Sequence, residues 1–559
     1  MIEFDSDGYI DPPSGKGFRL EGMVIRDLVL ESRYWPETEF SNVRNVPFMR
    51  SRELALLFIV AAGLLINSPC RAEQIGYHEV KTDASGRIAP WYGTGPSQAY
   101  DHVIRLVFDF WRNMAKCPNG VPYYLQHQVW KPGVDDPRGL GGDQIPMALS
   151  SWNLLFGYLG EPAVKENMVL MADYWLANGM SKPDALWANL PYPYNTDLHS
   201  GKYDGDMRAG KGYLQPDKAA SFGAELVVLY KMTGNRKYLD AAVKIANTLA
   251  ARVRAGDADN SPWPYRVNAE TDEVHKQVKG GKTHVASYTT NYTGALRLFT
   301  DLTALGQGDA KGYAKARKAV SDWLKSYPLK TTKWGPFFED IPTADYSDTE
   351  INADTLAAYI LEHPEWDPGW REQAKGILEW SYNTFANKEY VKWGVIAINE
   401  QTAYRVPGNS HTSRHASVEL LYCEKTGDCT LREDAIRRLN WATYTVDTDG
   451  KNRYIRDDNW LTDGYGDYVR HYLRAMASAP EVAPDDQNHL LRTSSVIQSI
   501  QYGMDRIIYS KFDSESTEKF KMGAWQPKSV TGAKMEWNAA IKVLTLRSRA
   551  KTVIILSGK

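Results

Sequence analysis

The sequence predicts a mainly α-helical protein: a closed (α/α)6 toroid of six helical hairpins, followed by a small C-terminal β-sandwich. Twelve segments carry apolar residues at helical spacing. Short and long connections alternate strictly between these segments, and the apolar period changes to two after the Pro/Asp-rich stretch APEVAPDDQ. Because 43% of the 559 residues are hydrophobic, the chain can bury a core of that size.

The N-terminal part contains a predicted signal peptide at residues 49–72, MRSRELALLFIVAAGLLINSPCRA. A basic start with Arg50 and Arg52 precedes a 13-residue apolar run and an acceptable small-residue cleavage site, and the run is too short to span a membrane. Signal peptides stand at the N-terminus, so we expect translation to start at Met49 and residues 1–48 to be a mis-annotated extension. The alternative is a genuine extension with an uncleaved anchor. We expect the mature protein to be secreted or periplasmic, with no stable membrane span.

A lead-in segment, 73–96, comes before the predicted toroid, 97–478. The predicted helices cover 97–116, 146–158, 162–178, 218–232, 237–254, 288–304, 310–326, 350–361, 370–385, 412–424, 431–445 and 462–477. Short turns such as Thr-Gly-Asn at 233–235 and Thr-Gly-Asp at 426–428 supply a Gly for one helix end and an Asn or Asp for the next start. The alternation predicts six inner and six outer helices, with the short turns on one face and the long loops on the other.

This layout resembles the six-hairpin glycosidase-like, (α/α)6 toroid superfamily over roughly residues 95–478. The hairpin YKMTGNRKYLDAAVKIANTLA at 230–250 is typical of the recurring unit. The resemblance implies carbohydrate as the substrate class, whereas the periodicity by itself predicts only a helical toroid.

Beyond the linker at 479–487, residues 488–559 predict a β-sandwich. Strands are expected at 496–502, 506–512, 519–522, 541–546 and 553–556. Such a module is either a structural packing domain, which we favour, or an independent sugar-binding domain.

The net charge and the cysteine pattern limit which partners and ligands the protein is expected to bind. A net charge of −2 gives no reason to expect nucleic acid. Cys423 and Cys429 bracket a short turn and could form a disulfide in an oxidising compartment, and Cys117 is then a lone thiol that we expect to be buried. No Cys/His set has zinc-ligand spacing, so we expect no metal and no cofactor.

Long loops that feed the inner helices meet at one mouth, where we expect the chemistry. The stretch 409–441 places His411, Arg414 and His415 within five residues at such a position, and these side chains can move protons and bind carboxylates. The candidate catalytic residues are His411, Arg414, His415, Asp463, Tyr465, Asp348 and Asp143. The candidate substrate-binding residues are Tyr288, Asn291, Trp334, Trp263, Tyr192, Tyr194, Trp460 and Asp467.

Each candidate has a structural alternative. Asp348 and Asp463 could be helix N-caps, and His471 is interpreted as a core histidine. The 18 Trp and 33 Tyr could pack between helices rather than stack on sugar rings.

Three functions follow from these residues. The first is a glycoside hydrolase that acts on an oligo- or polysaccharide, with or without uronic acid, through two carboxylates about 5–10 Å apart. The second is a polysaccharide lyase, in which His411 and Arg414 face a tyrosine and act by β-elimination on a uronic-acid polymer. The third is a glycan-binding protein without catalysis.

Overall fold

The computed structural model describes residues 73–126, 140–142, 144–197, 200–279, 281–337, 347–453, 455 and 462–558, with the backbone alone at 279 and 462–466. The predicted signal peptide and the extension before it lie outside these ranges. No helix in the described ranges is long and apolar enough to cross a membrane.

Twelve long helices are present in the described ranges, in the order that the sequence predicts. They are α1 Pro96–Arg112, α2 Gln144–Leu159, α3 Pro162–Asn178, α4 Pro216–Thr233, α5 Arg236–Arg252, α6 Thr293–Ala304, α7 Ala310–Ser326, α8 Glu350–Glu362, α9 Trp370–Phe385, α10 Asn409–Thr426, α11 Arg432–Thr443 and α12 Thr462–Ser478. A single helical turn, Pro328–Thr331, follows α7.

The even-numbered helices form the closed inner ring. Each packs against the next, α2 on α4, then α6, α8, α10 and α12, and α12 packs back on α2. The inner helices α2, α4 and α10 are buried on nearly all sides, whereas outer helices such as α1 and α7 bury one apolar face. The predicted toroid, with its inner and outer rings, is confirmed.

The short turns have the predicted chemistry. Gly234 and Gly427 end α4 and α10 with φ of 72° and 80°, a backbone conformation that favours glycine. The Asn235 side chain then accepts the Lys237 N–H and caps α5. The predicted disulfide between Cys423 and Cys429 is present, with Cα atoms 4.5 Å apart, and Cys117 is buried.

The start of α6 differs from the prediction, because the helix begins at Thr293 rather than at 288. Residues 288–290 donate their hydroxyls to backbone carbonyls of a neighbouring loop: Tyr288 to Lys333 at 2.7 Å, Thr289 to Pro336 at 2.9 Å and Thr290 to Trp334 at 2.7 Å. These bonds hold the segment in a non-helical path, which a helical periodicity cannot reveal.

The C-terminal β-sandwich is confirmed and contains two four-stranded antiparallel sheets. Its strands are β1 Asn488–Thr493, β2 Ile497–Tyr502, β3 Arg506–Lys511, β4 Ser516–Met522, β5 Pro527–Thr531, β6 Ala533–Asn538, β7 Val543–Ser548 and β8 Thr552–Ser557. The sheet orders are β1-β4-β7-β6 and β2-β3-β8-β5. The sequence did not predict β1, β5 or β6, and β6 is largely exposed, so its side chains show little apolar alternation.

The β-sandwich packs on the short-turn face of the toroid. His489 of β1 stacks on Tyr158 near the end of α2, with ring centroids 3.8 Å apart, and its Nδ1 lies 2.9 Å from the Tyr158 carbonyl oxygen. Glu424, near the end of α10, accepts hydrogen bonds from Arg492 of β1 at 2.7 Å and Lys519 of β4 at 2.5 Å. These contacts favour a structural packing role for the β-sandwich over sugar binding, because they lie on the face opposite the long loops.

Glu424→Gln tests this interface. Removing the carboxylate leaves two partly buried cations without their partner, so we expect the free energy of unfolding to fall by about 1–3 kcal/mol. Chemical denaturation measures the change. The exposed Glu433→Gln on α11 is the control, with an expected change within about 0.5 kcal/mol. Equal stability of the two variants would contradict the assigned role of Glu424.

Candidate functional site

Polar side chains fill the ring wall where α8, α10 and α12 begin, on the long-loop face. Residues 409–422 of α10 are all buried, although this stretch reads NSHTSRHASVELLY. The helix begins at Asn409, so His411 and Arg414 belong to its first two turns rather than to a preceding loop. Buried polar groups require partners, and α8 and α12 supply them.

Arg414 lies between two carboxylates. Its Nη1 is 2.9 Å from Glu350 Oε2 and 3.3 Å from Glu350 Oε1, and its Nη2 contacts the Asp467 carboxylate. All three side chains are at most 2% exposed. One guanidinium therefore joins the first residue of α8 to the second turn of α12 through α10.

Two histidines complete this group. His411 Nδ1 lies 2.9 Å from Glu350 Oε2, and His471 Nε2 lies 3.1 Å from Asp467 Oδ2. We call Glu350, His411, Arg414, Asp467 and His471 the mouth cluster. Burial, and then the charge of Arg414, lowers the pKa of both histidines well below its ordinary value.

The Glu350 carboxyl is protonated more readily than an ordinary glutamate. Burial raises its pKa to about 8, although the nearby Arg414 acts in the opposite direction. At neutral pH the mouth cluster therefore contains a carboxylic acid that can donate a proton and two neutral imidazoles that can accept one.

His415 belongs to a second network one turn deeper. Its Nδ1 is 2.7 Å from Asp354 Oδ2 and its Nε2 is 3.4 Å from Glu419 Oε1. Burial disfavours the charged ring, but the two carboxylates outweigh that effect and raise the pKa of His415 to about 10. Ser381 and Arg438 bind the same carboxylates from α9 and α11. His415 is charged at neutral pH, joins four helices and is unsuited to move protons there.

Three of the predicted site residues, Asp348, Trp334 and Trp263, have structural roles. Asp348 Oδ1 accepts the N–H groups of Trp334 and Gly335 at 2.7 and 2.8 Å, so it fixes a loop and is not the cap of α8. Trp334 is 1% exposed and packs against Trp380, and Trp263 is fully buried with its Nε1 donating to the Leu249 carbonyl. These rings belong to the core and offer no face to a sugar.

The remaining predicted residues are dispersed. Tyr288 and Tyr194 are buried, Tyr192 is half-buried, and Asn291 donates to Asp217 Oδ2 at 2.9 Å. Asp143 and Trp460 lie outside the described residues. Asp463 and Tyr465 are in the first turn of α12, and their side chains are outside the described part.

A cavity of about 610 Å³, here called the axial cavity, is lined by residues of the inner helices α2, α4, α6, α8 and α12 and by Arg317, Ser321 and Lys325 of the outer helix α7. At the mouth it is bordered by Lys218, Asn291 and Ile351, the residue after Glu350. Arg470 lines the same cavity and contacts Asp467, so this arginine lies between the cavity and the mouth cluster. Within the described ranges, no group of three or more His, Cys, Asp or Glu side chains is arranged to hold a metal ion.

Sequence reasoning noted Glu350 beside Asp348 but assigned it no role, did not select Asp354 or Glu419, and interpreted His471 as a core residue. A signal was present: Glu350 and Asp354 are four residues apart in EINADTLAAYILE, so they share one face of an inner helix that is otherwise mainly apolar. Two carboxylates on a fully buried face predict buried cations on the neighbouring helix.

Comparison with known proteins gives structural matches alone. No protein-family model matches the sequence, and no curated protein matches it. A sugar epimerase from a ruminal bacterium is 13% identical with a TM-score of 0.50, covering 67% of this chain and 98% of that one. A D-mannose isomerase is 9% identical with a TM-score of 0.51, covering 69% and 99%. A family 76 glycoside hydrolase from a bovine Bacteroides thetaiotaomicron strain is 11% identical with a TM-score of 0.43, covering 69% and 78%.

The chain has an (α/α)6 toroid fold. The resemblance to six-hairpin glycosidase-like enzymes is thereby confirmed at the level of the fold, and the toroid accounts for about two thirds of the chain.

Asp354→Asn tests the second network. The charge of His415 then keeps one carboxylate partner instead of two, so we expect the free energy of unfolding at neutral pH to fall by about 3–5 kcal/mol. Because the folded-state pKa of His415 is raised, its stabilisation is fully present below about pH 6.5 and is lost as the pH rises toward 10. That pH dependence should shrink in the variant.

Denaturation curves across this pH range provide the measurement. Asp505→Asn, at an exposed pair with Arg506 in the β-sandwich, is the matched control and should behave as the parent protein. If Asp354→Asn retains the full decline in stability between neutral pH and pH 10, His415 is not the group responsible.

Proposed function

We propose that this protein is an exported carbohydrate-active enzyme that hydrolyses a glycosidic bond in an oligo- or polysaccharide. The (α/α)6 fold is shared with enzymes that act on sugars, and the predicted signal peptide supports export. The observation that carries the reaction type is the protonated Glu350 beside Asp467 in the mouth cluster.

Glycoside hydrolysis requires two carboxyl groups in different protonation states. One protonates the leaving oxygen, and the other acts as base or nucleophile at a distance of about 5–10 Å. In this assignment Glu350 is the acid, because its raised pKa keeps it protonated at neutral pH. Asp467 is the second carboxylate, because it contacts two guanidinium groups, those of Arg414 and Arg470. The two groups contact opposite ends of one guanidinium, which keeps them close together.

A lyase has less support from the same geometry. β-Elimination on a uronic acid requires a cation on the substrate carboxylate. The guanidinium of Arg414 is already occupied by its contacts with Glu350 and Asp467. A purely glycan-binding protein would not require a buried carboxyl with a raised pKa, an arrangement that clusters at catalytic sites.

Sugar isomerisation or epimerisation is the second candidate. His411 and His471 have lowered pKa values and contact the two carboxylates, so the cluster has neutral bases that could move a proton between carbon atoms of one sugar. Two solved structures with TM-scores of at least 0.50 are those of a sugar epimerase and a D-mannose isomerase. Isomerisation or epimerisation does not shorten the sugar chain, so the length of the product distinguishes it from hydrolysis.

Glu350→Gln tests the assignment. The amide cannot donate an acidic proton, so we expect kcat on the best polysaccharide of a plant and algal panel to fall about 10²–10⁴-fold. Activity of the parent protein should decrease as the pH rises through about 8, where Glu350 loses its proton. The measurement is the release of new reducing ends without ultraviolet absorbance.

Glu379→Gln, at an exposed position of α9, is the control and should keep full activity. Full activity of Glu350→Gln would overturn the role of Glu350. An ultraviolet-absorbing product would indicate the lyase, and rearranged sugars without new reducing ends would indicate the isomerase or epimerase.

A further inference from the structure

The axial cavity is lined by six Lys or Arg side chains and four Asp or Glu side chains, and apart from Arg470 the proposed reaction uses none of these cations. Below the mouth, Arg297 of α6 and Arg470 and Arg474 of α12 line its wall, together with the carboxylates of Glu225, Asp301, Glu362 and Glu365. The Arg297 side chain is 39% exposed although α6 belongs to the inner ring, because its guanidinium faces the cavity.

These arginines differ in how fully their charges are paired with carboxylates. Arg297 Nη1 pairs with Glu225 Oε1 at 2.8 Å, and Arg470 contacts Asp467, which Arg414 shares. Within the described residues Arg474 makes no hydrogen bond or ion pair, and the nearest groups that favour its charge are Glu362 and Glu225. Burial lowers the pKa of Arg474 to about 10, so its charge lacks full compensation.

The rest of the wall is suited to a polyhydroxylated ligand. Hydroxyl and amide groups line the cavity: Ser221 of α4, Ser321 of α7, Thr355 of α8 and Asn291, which precedes α6. From Ile351 to Glu362 the wall extends roughly 16 Å along α8, at a helical rise of 1.5 Å per residue. The volume of 610 Å³ lies within the range of about 300–1,000 Å³ that is usual for small-molecule sites.

We propose that the axial cavity binds a small acidic sugar, with its carboxylate on Arg474 and Arg470 and its hydroxyls on the Ser and Thr side chains of the wall. A carboxylate can accept two parallel hydrogen bonds from a guanidinium, and such charge-assisted bonds are strong where water is limited. The inference rests on the cavity and holds whether or not the mouth cluster is catalytic.

Calorimetric titration of the full protein with D-glucuronate and D-galacturonate tests the proposal, with D-glucose, D-galactose and inorganic phosphate as comparison probes. We expect at least one uronate to bind about tenfold or more tightly than its neutral counterpart, since a hydrogen bond to a charged group contributes about 1.5–3 kcal/mol. Arg474→Gln should weaken uronate binding by a similar factor and leave the weak binding of the neutral sugar unchanged.

Two further variants make the test independent of folding defects. Glu362→Gln removes a competing negative charge from the same cavity, so uronate should bind more tightly. Arg506→Gln, an equal loss of charge on the β-sandwich, should bind as the parent protein does. Equal binding of uronates and neutral sugars, unchanged binding in Arg474→Gln, or binding of phosphate without uronate would overturn the proposal. Because the readout is binding, a failure here is distinguishable from loss of activity in Glu350→Gln.

Discussion

The contact on which the mouth of the toroid depends is the guanidinium of Arg414 between Glu350 and Asp467. It joins three consecutive inner helices, α8, α10 and α12, at the point where each begins. Glu350 and Asp467 are at most 1% exposed, so the cost of burying them must be offset by Arg414, by the two histidines and by the protonation of Glu350. Removing any one member would leave a buried group without its partner, which is why the network constrains all three helices together.

Burial of the mouth cluster costs free energy, and it also shifts the pKa values of the side chains in the cluster. Exclusion of water raises the pKa of Glu350 and lowers those of His411 and His471, which places an acid and two bases side by side at neutral pH. His415 shows the contrasting case one turn deeper. Two carboxylates keep it charged, and it serves to hold helices together. His411 and His415, one turn apart on α10, thus differ in role because their partners differ in charge.

The repeat pattern predicted the toroid because each helix carries its own periodicity, and the alternation of loop lengths determines which helices are inner. The site was predicted only in part. His411 and Arg414 were recognisable as unusual polar residues, but their partners, Glu350 on α8 and Asp467 on α12, are distant in sequence, and no local pattern encodes that pairing. Likewise, Trp263 and Trp334 looked like sugar-stacking rings, since burial depends on neighbouring helices that a single segment does not reveal. The β-sandwich edge strand β6 was missed because exposed strands lack an apolar alternation.

The protonation state of Glu350 tests the central claim most directly. Infrared difference spectroscopy of the intact protein reports the carbonyl stretch of a protonated carboxyl group, and the signal that disappears in Glu350→Gln belongs to this residue. The account predicts that this signal persists at neutral pH and is lost with a midpoint near pH 8. A Glu350 that is ionised throughout the range from its ordinary pKa to pH 8 would contradict the account, because the mouth cluster would then hold no acid to donate.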